Sequence, residues 1–202
     1  MNERSRGNQK IAEAAEAFHF DFRGKTVLDI GSSTGGFTEY ALESGAALVV
    51  AVEKGTGQMR APLRFDPRVQ LHEKTDIFDV VSEAHKGDAR TRDGSSREVV
   101  VPTPDVILAD VSFVSLREVL EYAKLWLAGE STEFLVMLKP QFEAEDYQLN
   151  RGVVKNERMR RKIIRDFETW LVRRDFVIKA KRDNSVAGKH GNVERFYDII
   201  VE

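Results

Sequence analysis

Val27-Leu-Asp-Ile-Gly-Ser-Ser-Thr-Gly-Gly-Phe37 is the stretch that decides how this chain folds. Apolar residues around Asp29 read as a buried strand, which runs into a glycine loop and then a helix. Gly31, Gly35 and Gly36 carry no side chains, so a ligand can lie directly against the backbone. The helix start behind the loop is expected to offer unpaired N–H groups. Asp29, at the strand's end, adds a carboxylate. A phosphate-binding loop wants the N–H groups and no acid so close, whereas a cationic amino-acid ligand wants both. The spacing agrees: Gly31 is followed by Ser-Ser-Thr and then Gly35-Gly36, which misses the dinucleotide pattern G-x-G-x-x-G. The pattern G-x-x-x-x-G-K-[ST] is absent as well.

Strand-like runs recur between helical patterns on either side of this corner. Thr26–Ile30 is the first strand, and Gly35–Glu43 a helix stopped by Gly45. Leu48–Glu53, Val69–Lys74, Asp105–Val111 and Glu133–Leu138 are the next strands. Leu116–Leu127 has apolar residues at Leu116, Val119, Leu120, Ala123 and Leu127, a helical spacing. Glu157–Arg173 is a helix with Met159, Ile163, Ile164, Phe167, Trp170 and Leu171 on one face. Phe176–Ala180 and Phe196–Val201 form a last strand pair. Alternating strands and helices predict an α/β fold with a mostly parallel, doubly wound sheet. The final pair has no helix between its strands and predicts an antiparallel end. The polar stretch 83–104 reads as a flexible surface insertion.

A chain of 202 residues is most simply one domain, 1–202, and with 42% hydrophobic residues it can bury a core. Within it, 1–24 reads as an N-terminal segment and helix. No run approaches a membrane span, and Met1-Asn-Glu-Arg-Ser-Arg-Gly has no apolar signal region. Without cysteine there is neither a disulfide framework nor thiolate chemistry. Together these point to the cytoplasm. His19, His72, His85 and His190 show no metal-ligand spacing, so no metal site is expected. The net charge is −2, yet from Arg151 to Arg182 twelve Lys/Arg stand against four Asp/Glu. Such a patch attracts phosphate backbones by counterion release, although a solvated helix face has the same look.

In an open α/β sheet the ligand sits beyond the carboxyl ends of the strands. Asp29, Glu53, Asp76 and Asp110 all fall at predicted strand ends or just after them. Each alone also fits a turn or cap; the joint placement is what favours a site. Glu53 lies about twenty residues past the loop, where an acid takes ribose hydroxyls. The loop resembles the glycine-rich motif of S-adenosylmethionine (SAM) dependent methyltransferases. That resemblance implies a Rossmann-like methyltransferase fold with SAM as cofactor. The residues expected to bind it are Asp29, Gly31, Ser32, Ser33, Gly35, Gly36, Phe37 and Glu53, with Asp29 and the backbone near Gly31 for the methionine moiety and Glu53 for the ribose. Asp76 would take the adenine amino group, and Asp110 completes the rim.

Lys139, in Leu138-Lys139-Pro140-Gln141-Phe142-Glu143, follows a buried strand, a rare place for a lysine that only packs. Asp110, in Leu108-Ala-Asp-Val-Ser-Phe113, is expected to end the neighbouring strand. A structural ion pair is the plain alternative for the two. Read in order with Ser5-Arg6-Gly7, Asp29 to Thr38, Gly152-Val-Val154 and Gly191-Asn-Val-Glu194, these segments resemble the hemolysin TlyA family of FtsJ-like ribosomal RNA methyltransferases. The likeness runs from Ser5 to the C-terminus. It implies a Lys-Asp-Lys-Glu tetrad that methylates ribose 2′-hydroxyls, here Lys10, Asp110, Lys139 and Glu194. The family often has Arg-Gly-Gly-x-Lys where this chain has Arg6-Gly-Asn-Gln-Lys10; the lysine offset is kept. It commonly has Asn at the Thr75-Asp76 position and Asp at Glu53, and both changes preserve hydrogen-bonding capacity. It also carries an S4-like RNA-binding domain ahead of the Ser-Arg-Gly segment. This chain opens at that segment, so Arg151–Arg182 is expected to carry more of the RNA contact.

The residue types suit the chemistry. A 2′-hydroxyl must lose a proton as it attacks, and a lysine serves as base only if its pKa falls toward neutrality. A second lysine and desolvation both push that way. Lys139 is therefore expected to be the base, with Lys10 positioning the hydroxyl and tuning Lys139, and with Asp110 and Glu194 orienting the amines. Three other readings stand beside this one. A non-catalytic SAM- and RNA-binding scaffold has no use for both lysines. A membrane-active hemolysin lacks a spanning run, and its one basic amphipathic helix, Glu157–Arg173, has a face expected in the core. A NAD-type dehydrogenase fails on glycine spacing.

Overall fold

The computed structural model describes residues 5–86, 99–186 and 191–202. Helix α1 (Arg6–Phe18) begins at Ser5, whose hydroxyl accepts from the Asn8 N–H. Strand β1 (Thr26–Ile30), helix α2 (Gly36–Glu43), strand β2 (Leu48–Glu53), the single turn α3 (Ala61–Arg64) and strand β3 (Val69–Glu73) follow. Next come short strands β4 (Val80–Ser82) and β5 (Val99–Val101), then β6 (Val106–Ala109), α4 (Leu116–Trp126) and β7 (Glu133–Leu138). The turn α5 (Pro140–Glu143) leads to a small hairpin, β8 (Leu149–Asn150) and β9 (Val153–Val154). Helix α6 (Glu157–Arg173) and strands β10 (Phe176–Asp183) and β11 (Arg195–Val201) complete the chain.

Seven strands make one sheet in the order β10-β11-β7-β6-β1-β2-β3. The five strands from β7 to β3 are parallel, and β11 runs antiparallel to both β7 and β10. The expected Rossmann-like fold is thus present, but the last strand is threaded inside the sheet and β10 takes the edge. Burial explains the order: Phe196, Tyr197, Asp198 and Ile199 are enclosed, whereas most of β10 is exposed or half-buried. Each face of the sheet is covered. On one side α4 and α6 press Leu116, Leu120, Ile164, Phe167 and Leu171 onto Leu28, Ile107, Phe134 and Tyr197. On the other, α1 and α2 set Ile11, Ala14, Phe37 and Ala41 against Val27, Val49, Leu108 and Met137.

Some boundaries differ from expectation for visible reasons. The stretch 83–104 is not all surface insertion: Val99–Val101 pair in parallel with Val80–Ser82, and Val101 is buried. Three consecutive valines have apolar area to hide, which the polar residues before them do not. Residues 87–98 lie outside the described residues. Strand β6 stops at Ala109, so Asp110 already belongs to the turn. Strand β10 continues past Ala180 to Asp183 because its pairing with β11 resumes after a bulge. No helix among the described residues is long and apolar enough to cross a membrane.

Candidate active site

The glycine loop is held by its own backbone. The N–H groups of Gly31 and Ser32 both donate to the Val52 carbonyl, at 2.9 and 3.2 Å. Ser33 donates to a Glu53 oxygen at 2.9 Å and Gly35 to the Ser32 carbonyl at 2.8 Å. Behind the start of α2, Asp29 accepts from the Thr38 hydroxyl at 2.6 Å, and the N-cap, Gly35, has no side-chain cap. Gly31 has φ +80°, and a Cβ there would stand 2.9 Å from the Asp110 carbonyl, so the loop presses on the turn after β6. A Cβ on Gly36 would meet the Ser5 hydroxyl at 2.8 Å and the Asn8 nitrogen at 2.9 Å, which is where α1 crosses α2. The glycine pair thus serves packing and brings α1 to the site.

Beyond the carboxyl ends of β1, β2 and β6 lies a cleft of about 630 Å³. Of the residues assigned to a cofactor, Gly31, Ser33, Glu53, Asp76 and Asp110 line it, beside Thr75, Phe78 and Val111. Ser32, Gly35, Gly36, Phe37 and Asp29 stand outside the lining, with Asp29 wholly enclosed. Glu53 is fixed by the Ser33 and Gly55 N–H groups, the second at 2.7 Å. Asp76 caps a short turn through the Phe78 N–H and holds Lys54 at 2.8 Å. Burial pushes the Asp29 carboxyl up to about 7; the Thr38 bonds oppose this and the Asp110 charge adds to it. Among the described residues one Asp29 oxygen has no partner, nor has the Ser32 hydroxyl. An orphaned buried carboxylate oxygen behind a glycine loop, next to an acid-rimmed cleft, fits a nucleoside carrying a cationic amino-acid group.

The four tetrad candidates form two ion pairs. Lys139 reaches Asp110 at 2.6 Å and donates to the Ser112 hydroxyl at 2.8 Å. Lys10 in α1 pairs with Glu194, 184 residues away in sequence. The sheet explains why these pairs are neighbours. Strands β6 and β7 are adjacent and parallel, so Asp110 and Lys139 leave the sheet on the same side. Arg195 pairs with Leu138, so Glu194 and Lys139 each lie one residue beyond that last pair.

Two residues of this region, Phe113 and Glu143, were quoted in motifs without a role. Phe113 is 92% exposed, holds φ +64° and lines the cleft, with its ring 5.1 Å from that of Phe142. A bulky residue in left-handed backbone is strained, and such strain gathers at binding sites. Glu143 is enclosed and accepts from the Ser115 hydroxyl at 2.8 Å and the Leu116 N–H at 2.6 Å, capping α4. Burial holds its carboxyl above the usual range, against the pull of those donors. It ties the 139–143 turn to the 110–115 turn, and so Lys139 to Asp110, Ser112 and Phe113. The spacing of Glu143 from Lys139 in sequence was visible; its partner across the sheet was not.

A mostly parallel sheet of this order, with a glycine loop and acids at its carboxyl rim, defines the class as a Rossmann-like methyltransferase fold. The chain belongs to the FtsJ-like methyltransferase family, whose model matches residues 3–197. It is 35% identical over 193 residues to the 16S/23S rRNA (cytidine-2′-O)-methyltransferase TlyA of Mycobacterium tuberculosis, covering 95% of this chain and 66% of that protein. It is 33% identical to the 23S rRNA (cytidine-2′-O)-methyltransferase TlyA of Campylobacter jejuni, covering 97% of this chain and 70% of that protein. A solved structure described as a hemolysin from Streptococcus thermophilus superposes with a TM-score of 0.83 at 29% identity, over 98% of this chain and 67% of that one. The chain thus spans about two thirds of the length of these relatives.

Proposed function

We propose that this chain transfers a methyl group from SAM to a ribose 2′-hydroxyl of RNA, with ribosomal RNA as the substrate and the cytoplasm as the place of action. The observation that carries the reading is the convergence of two lysine–carboxylate pairs on one rim, beside a cleft lined by Glu53, Asp76, Asp110 and Glu118. Bound SAM supplies a methyl already activated on a sulfonium. The chain's own residues then have to bind, orient and take one proton. Glu53, immobilised by two N–H groups, keeps lone pairs for ribose hydroxyls. Asp76 faces the adenine end. The enclosed Asp29 supplies the counter-charge for an ammonium lying at the loop.

Lys139 is assigned as the base. It takes the 2′-proton as the oxygen attacks, and its position is set by Asp110 and by the Ser112 hydroxyl. Lys10, locked to Glu194, positions the acceptor and adds a second positive charge near Lys139. Phe113, displayed in a strained conformation beside the cleft, offers a face on which the acceptor base stacks. The test is transfer of labelled methyl from SAM to unmodified ribosomal RNA and subunits by the wild type and by Lys139→Ala. Loss of transfer with SAM binding retained supports the assignment. Full residual activity in the variant overturns it, and SAM binding without any transfer in the wild type favours a non-catalytic SAM- and RNA-binding protein.

A further inference from the structure

We infer that the outer face of α6, continued at the tip of the β8–β9 hairpin, is a track for RNA phosphates that leads to the Lys139 rim; the inference rests on the RNA-methylating reading above. Between Arg151 and Arg182 the chain has twelve cations, but the structure divides them sharply. Those on β10 are spent within the protein: Lys179 on Glu133 at 2.7 Å, Lys181 on Glu168 at 2.7 Å and Arg182 on Glu13 at 2.6 Å. Arg174 is held by Glu121 at 3.0 Å. Lys155 gives its ammonium to the Tyr147 carbonyl. Arg151, Arg158, Arg165 and Arg173 are exposed and have no ion-pair partner among the described residues.

These four are ordered in space. On α6, residues 158, 165 and 173 recur at about two turns and share one face. At 1.5 Å per residue they span about 22 Å. Arg161 and Lys162 lie on the same face, paired only to Glu157 and Asp166 of the same helix. Such exposed pairs contribute little and exchange readily for a phosphate. The track's near end is anchored at the rim. Asn192 accepts from the Val154 N–H and donates to the Gly152 carbonyl, both at 3.1 Å, clamping the hairpin whose tip is Arg151. Arg160, one turn inside α6, donates to the Val193 carbonyl at 3.1 Å. Hairpin tip and helix start are thus tied to the two residues before Glu194.

Chemistry selects the partner. Guanidinium forks match phosphate oxygens in pairs. The apolar face of α6, with Ile163, Ile164, Phe167 and Leu171, is packed in the core and is not free to enter a lipid surface. The combined variant Arg151→Ala, Arg158→Ala, Arg165→Ala, Arg173→Ala is compared with the wild type for binding to a ribosomal RNA fragment over a salt series. The account predicts binding at least about tenfold weaker at 0.1 M salt and a salt slope shallower by about 3. SAM affinity is retained, which reports the fold, and the matching Arg→Lys variant recovers most of the loss. A parallel Lys179→Gln, Lys181→Gln variant leaves the slope unaltered. If the arginine variant binds and is salt-dependent like the wild type while the wild type methylates RNA, the track is overturned alone. If the wild type transfers methyl to no RNA yet the slope falls as predicted, the track stands and the catalytic reading fails.

Discussion

The two lysine–carboxylate pairs have the same chemistry and different surroundings. Lys10–Glu194 joins α1 to the start of β11, and the Glu194 side chain is only 4% exposed. Lys139–Asp110 joins neighbouring strand ends, and the Asp110 side chain is 25% exposed and lines the cleft. The open pair has a hydroxyl, Ser112, and two aromatic rings, Phe113 and Phe142, around it. The closed pair has no further side-chain partner of that kind among the described residues. The two lysine side chains are about equally exposed, 11% for Lys10 and 12% for Lys139, so the pairs differ in their carboxylates and in the hydroxyl and rings around Lys139.

Removing the open lysine is expected to have the largest effect on turnover: Lys139→Met lowers kcat about a thousandfold, read by single-turnover methyl transfer. Comparable kcat in this variant would break the distinction. Lys10→Met leaves a buried carboxylate without its partner, so stability falls by about 3 kcal/mol in denaturant titration, with roughly a hundredfold loss of activity. The double change Lys10→Met, Glu194→Met recovers the stability and not the activity. Recovery of both would reduce the closed pair to a structural tie. Phe113→Ala loses only the contact with the Phe142 ring, so its melting temperature stays within about a degree or two, while KM for RNA rises about tenfold. A graded effect, spread over pH, belongs to Asp29. Its folded carboxyl titrates at about 7 against 3.8 when exposed, so the folded state keeps the proton between those values. Stability relative to Asp29→Asn then falls as pH rises through that window, by at most about 1.4 kcal/mol per pH unit, and is level above it. A flat difference in melting temperature between pH 4 and 8 would contradict this. The same variant loses SAM affinity at pH 8, so stability and binding move in opposite directions.

The sheet was largely legible because its strands are continuous apolar runs. Thr26–Ile30, Leu48–Glu53, Glu133–Leu138 and the helix Glu157–Arg173 stand where periodicity puts them. What was not legible depends on partners distant in sequence. Nothing local tells β11 to enter between β7 and β10, or Val99–Val101 to pair with Val80–Ser82. Gly36 reads as a ligand contact until α1 is seen crossing it. Asp29 reads as a ligand group, and its bond from the Thr38 hydroxyl nine residues on appears only when the loop is folded. The meeting of Lys10 with Glu194 has no signature in spacing; only the ordered family motifs suggested that the two belong together. The basic stretch was visible as a count, and its division into spent and free cations was not.

The central claim is that the methyl group lands on a ribose 2′-oxygen presented to Lys139. Ribosomal RNA labelled by this protein from tritiated SAM, then hydrolysed in alkali, tests it directly, because a 2′-O-methyl group blocks cleavage of the adjacent phosphodiester. The account predicts that the label is retained in alkali-resistant dinucleotides and is absent when Lys139→Ala replaces the wild type. Label released in mononucleotides would place the methyl on a base and contradict it.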